Sequence, residues 1–140
     1  MLAHLLGTIR AARPALSLVP RTVVEATLLT RGALGSACNV AGWLGLRNRF
    51  ELARLLRRQG LPPLHRLRAW AALLSWVDAA EREGVSLFRL AFRSGRHPAA
   101  CYRLVREITG KCWEEVLERG LSWVERQFIR ELRAHHPYTS

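Results

Sequence analysis

Apolar residues recur at helical spacing through most of this chain, and the series break at Gly or Pro. Ala37, Val40, Ala41 and Leu44 fall on one side of a helix, as do Leu87, Leu90 and Ala91. Leu52, Leu55 and Leu56 form a second such series after Asn48, and Cys101, Leu104, Val105 and Ile108 another after Pro98. Pro62 and Pro63 precede a helix predicted from about Leu64 to Arg82 and stopped by Gly84. Its middle, AWAALLSWV, is apolar on nearly every side, so it should be buried, with Trp70 and Trp76 in the core. Residues 21–31, with Val23, Val24 and Leu28, read as a helix. Leu117, Leu121, Val124, Phe128 and Leu132 make one stripe near the end. Residues 1–20 carry two prolines and no clear period, and are expected to be an arm.

The short series repeat at an offset of fifty. Val40, Ala41, Gly45 and Gly60 recur as Leu90, Ala91, Gly95 and Gly110, and Ser36 and Ser86 stand ahead as N-cap candidates. Each copy reads as a helix, a turn whose glycine can take φ > 0, a second helix and a glycine stop, which is a helix-turn-helix. The small alanine lets the second helix cross close to the first. Relative to this frame the apolar sides of the two second helices are out of phase by one residue, so one of them is shifted.

Charge sharpens the division. The chain has 140 residues and a formal net charge of +11. Residues 1–60 carry +7 and residues 86–111 carry +5, while 61–85 are neutral and 112–140 carry −1. Two basic blocks on two copies of one frame point to two contacts with a polyanion. In the first copy Arg47, Glu51, Arg54 and Arg58 stack opposite the leucines; in the second Ala99, Arg103 and Arg106 oppose the apolar side. Arginine can bond guanine O6 and N7 bidentately, and a small residue such as Ala99 can meet a thymine methyl. Arg96 and His97 in the turn, with Arg49, Arg57 and Lys111 at the flanks, suit phosphates. The neutral rod, roughly 30 Å long at 1.5 Å per residue, nearly matches the ~34 Å between successive major grooves on one duplex face.

Composition excludes much else. With 49% hydrophobic and 24% charged residues the chain should bury a core. No apolar run approaches a membrane span, and the opening MLAHLLGTIRAAR lacks the order of a signal peptide, so no membrane partner and a cytoplasmic setting are expected. Three cysteines without CxxC spacing argue against a disulfide framework or zinc knuckle. Cys101, on an apolar side, reads as core. No nucleophile elbow, phosphate loop or HExxH is present, and the five histidines, His4, His65, His97, His135 and His136, have no carboxylates at convergent helical spacing. An enzyme, a metal and a cofactor are therefore not expected.

Two helix-turn-helix units joined by one long helix, the second written SLFRLAFRSGRHPAACYRLVREITG, resemble the DNA-binding domain of AraC/XylS-type bacterial transcription regulators. The resemblance covers about residues 21–117 and is carried by Ser86, Leu90–Ala91, Gly95, Tyr102 and Gly110. It departs from the family at Gly95-Arg96, where the family has Gly-Phe, and at Lys111-Cys112-Trp113, where it has Thr-Pro. The fold it implies is all-α: a first unit over 21–62, a linker helix over 63–84, a second unit over 85–117 and a C-terminal amphipathic helix and tail over 118–140. By resemblance, Arg47, Arg49 and Arg54, and Arg96, His97, Ala99 and Arg103, occupy the recognition-helix regions. The partners implied are double-stranded DNA, and RNA polymerase or a separate sensor or receiver protein. The C-terminal stripe would either cap the second unit or pair with a partner helix, as in a homodimer. Trp123, off the stripe among Arg119, Arg126 and Arg130, favours a contact role. The competing reading is a protein-interaction adaptor whose degenerate helix-turn-helix acts through that stripe.

Overall fold

The computed structural model describes residues 2–134, and His135 and His136 lie outside the described residues. Those residues form an all-α fold of nine helices without a strand: α1 (Leu2–Ala12), α2 (Leu18–Leu29), α3 (Ala37–Trp43), α4 (Arg49–Arg58), α5 (Leu64–Glu83), α6 (Leu87–Arg93), α7 (Pro98–Thr109), α8 (Trp113–Arg119) and α9 (Leu121–Ala134). Among them no helix is long and apolar enough to cross a membrane.

The rod expected between the prolines and Gly84 is α5. Leu67, Trp70, Leu73, Leu74, Trp76 and Val77 are all buried along it, and α2, α6, α7, α8 and α9 pack around it. A helix apolar on most of its circumference has no face to offer water, so neighbours must cover it from several directions. The packing with α9 is also polar. The Glu131 carboxylate accepts the Trp70 indole N–H at 2.9 Å and three guanidinium bonds from Arg66, at 2.6, 2.9 and 3.2 Å. Glu131 thereby satisfies a donor that burial of Trp70 would otherwise leave without a partner, and the Trp70 and Phe128 rings meet at 5.6 Å beside it. At the far end of α5 the Glu81 carboxylate accepts the Leu121 N–H at 2.8 Å, so one helix supplies the missing cap of another.

One expectation is corrected, and one open choice is resolved. Residues 1–20 are not an arm: α1 buries Leu5 and Ile9, each 1% exposed, and packs on α9 and α2. Its Leu2, Leu5, Leu6, Ile9 series keeps helical spacing but covers only about two turns, and its main partner lies more than a hundred residues away. Arg13 fastens its end, donating to the carbonyls of Gly60 at 3.1 Å and Leu132 at 2.6 Å, and also to that of Gln59. Of the two readings of the C-terminal stripe, packing within its own chain is the one observed. Val124, Phe128 and Leu132 are buried within the chain, where α9 packs on α5, α1 and α8. Leu117 belongs to α8, the element that reaches α7. Trp123 is partly buried against the core with the Arg119 guanidinium 5.2 Å from its ring.

Leu5→Ala or Ile9→Ala should each cost about 2–5 kcal/mol in urea unfolding, as core truncations do; an unchanged midpoint would return α1 to the status of an arm. Glu131→Gln should cost about 1–3 kcal/mol by the same measurement, because the Arg66 guanidinium loses its charged partner in a half-buried site.

Candidate nucleic-acid interface

Local capping builds both copies of the repeat. Ser36 Oγ accepts the Asn39 N–H at 3.1 Å to start α3, and Ser86 Oγ accepts the Arg89 N–H at 3.2 Å to start α6. Both helices close in the same way. The N–H of Gly45 donates to Gly42 and that of Leu46 to Ala41; fifty residues on, Gly95 donates to Phe92 and Arg96 to Ala91. This closure needs a left-handed residue just past the helix, and Gly45 (φ +75°) and Gly95 (φ +70°) supply it.

Beyond the turn the copies diverge by one residue. In the first, Asn48 caps α4, its Oδ1 accepting from Phe50 N–H at 3.1 Å and Glu51 N–H at 3.0 Å. In the second, His97 caps α7 through Nδ1, accepting the Ala99 N–H at 3.2 Å, with Pro98 in the first turn. The caps are forty-nine residues apart, not fifty. Only Arg96 lies between Gly95 and its cap, against Leu46 and Arg47 in the first copy. The phase difference seen in the sequence is therefore a shorter turn, and neither helix is distorted.

Matched from their caps, the two helices present equivalent faces. Leu52 and Leu56 of α4 and Cys101 and Val105 of α7 are buried at corresponding positions. Burial pushes the Cys101 thiol up, which suits a core residue. At 100° per residue, the positions opposite these cores are Phe50, Arg54 and Arg57 on α4, and Ala99, Arg103 and Arg106 on α7. All six are exposed. The common outward pattern is a non-polar residue followed by Arg-x2-Arg, and among the described residues none of these four arginines sits in an ion pair.

The remaining sequence-derived positions lie around these poles. Arg47 is in the turn, paired with Glu51 at 3.1 Å, and that contact holds the Glu51 carboxyl below its usual range. Arg58 is exposed on the flank of α4. The Arg49 guanidinium lies 5.0 Å from the Phe50 ring, and that of Arg96 lies 5.6 Å from the Trp76 ring, which ties the second turn to α5. Lys111 is half-buried, 4.0 Å from Glu115. The sequence reading missed Phe50, which is 58% exposed in the first turn of α4. Its position opposite Leu52 and Leu56 was the available signal. Among the described residues no group of His, Cys, Asp or Glu is arranged to hold a metal ion.

No family model, curated protein or solved structure matches this chain.

A Cβ on Gly45 or Gly95 would meet no atom within 4 Å, so the backbone angle alone opposes substitution. Gly45→Ala and Gly95→Ala should each cost about 1–2 kcal/mol in urea unfolding, and the Asn variants distinctly less. Equal costs for Ala and Asn would show that something other than φ is at stake.

Proposed function

We propose that this chain is a sequence-specific double-stranded DNA-binding transcription regulator, with two helix-turn-helix units joined by α5 in the manner of the AraC/XylS-type domain. The observation that carries the reading is the repeated outward pole: behind the same turn, two separate helices each expose a non-polar residue and an Arg-x2-Arg pair. Arg54 and Arg103 are the central residues of these poles and are assigned to guanine edges; Phe50 and Ala99 suit thymine methyls. Arg57 and Arg106, on the same poles, reach bases or adjacent phosphates. Arg47, Arg49, Arg58, His97 and Lys111 border the duplex and supply sequence-independent affinity. The length of α5 supports two readers one duplex turn apart.

A protein-contact role has its own observation. Phe88 and Phe92 stand one turn apart on α6, 54% and 66% exposed, with ring centroids 5.0 Å apart. An exposed aromatic pair between arginines is a natural anchor for a partner, and RNA polymerase or a separate sensor protein would meet this face rather than the apolar stripe of α9.

Selection of DNA sites by the full chain should enrich a motif with two half-sites about 10 bp apart. On that motif Arg54→Ala and Arg103→Ala should each cost about 1–3 kcal/mol and relax one base position. Equal losses on random duplex would reduce both residues to phosphate contacts, and the absence of any motif would leave only a basic surface.

A further inference from the structure

The arginines of α9 have no part in this reading. Between α1 and α9 runs a groove of about 560 Å³, within the about 300–1,000 Å³ common for small-ligand sites. Arg126, Arg130 and Arg133 line it from α9 and His4 lines it from α1. The three arginines stand at i, i+4 and i+7, so roughly 10 Å of helix axis carries three guanidiniums on neighbouring turns. Among the described residues none of them is in an ion pair, although Glu131 on the same helix is bound to Arg66. Ser122 adds a hydroxyl at one end.

Glu125 is the only carboxylate in the lining. Burial pushes its carboxyl above the usual range, the charges of Asp78 and Glu81 act in the same direction, and that of His4 opposes them. Even fully ionised, it leaves the arginine-lined groove with two positive charges in excess.

We propose that this groove binds a small polyphosphorylated ligand, its adjacent phosphoryl groups held by the forked donors of Arg126, Arg130 and Arg133. Guanidinium forks match phosphate oxygens bidentately, and only a ligand with several negative charges close together engages three of them in one concavity. The groove is a concavity lined by side chains of α1 and α9, which is the wrong relief for entering a duplex groove. The arginines belong to α9 and are separate from the poles of α4 and α7, so the site stands whether or not those helices read DNA.

Inorganic tripolyphosphate is the probe, titrated into the full chain by calorimetry at low ionic strength. One saturable site is expected, with inorganic monophosphate at least tenfold weaker. The R126Q/R130Q/R133Q variant should lose tenfold or more in affinity, the corresponding triple Lys variant should retain part of it, and R54Q/R103Q should bind as the parent does. Circular dichroism of each variant separates lost binding from lost folding. The proposal falls if binding does not saturate, if R54Q/R103Q loses as much as the α9 variant, or if a folded α9 variant binds tripolyphosphate undiminished. It also falls if the α9 variant weakens duplex binding as much as tripolyphosphate binding, for the groove then belongs to a duplex footprint.

Discussion

Most of this fold is arranged around one helix whose middle must be kept from water. Because α5 is apolar on most of its circumference, its burial recruits α2, α6, α7, α8 and α9 around it, drawing together segments from both ends of the chain. Trp70 adds a directional demand. Its indole N–H is a donor only, and a buried donor without a partner costs more than a made hydrogen bond gains. Glu131 meets that demand while also holding Arg66, so hydrophobic cover and hydrogen-bond satisfaction come from the same face of α9. The placement of α1 follows in turn, since Leu5 and Ile9 are buried where α1 meets α9.

The carboxylates are distributed by the same logic. Glu25 pairs with Arg10 to join α1 to α2, Glu81 caps α9, and Glu83 pairs with Arg93 between α5 and α6. With Glu131, these acidic side chains act as fasteners between helices. Among the described residues no carboxylate forms an ion pair with the arginines at the outward poles of α4 and α7, although Glu51 acts on Arg54 at longer range. A local excess of this kind acts over about a Debye length, ~8–10 Å at ordinary salt, where a mixed surface would cancel itself.

Much of this was legible in the sequence, because the signals were local. Ser36, Ser86 and Asn48 cap the helices they precede, Gly45 and Gly95 take the angles their turns require, and α5 runs from Leu64 to within a residue of the expected end. What escaped was set at long range or measured from the wrong origin. The period of α1 is too short to stand out until α9 is placed against it. Phe50 was overlooked because the basic stripe of α4 was counted from Arg47, which lies in the turn, rather than from the buried leucines. The fate of the C-terminal stripe could not be read locally either, since an amphipathic helix looks the same whether its cover comes from its own chain or another.

The short second turn bears on how the two halves are to be compared. From first cap to final glycine, Ser36 to Gly60 and Ser86 to Gly110, the copies are equal in length, yet the residue missing before His97 is regained within α7. An ungapped superposition at fifty therefore sets Arg54 against Leu104 and Arg57 against Glu107, pairing surface with core and cation with anion. The spacing the two halves share is the span from cap to core, and the glycines only bracket it. A helix exchanged between the halves would keep its outward face if spliced at Asn48 and His97, and would be rotated by about 100° if spliced in glycine register.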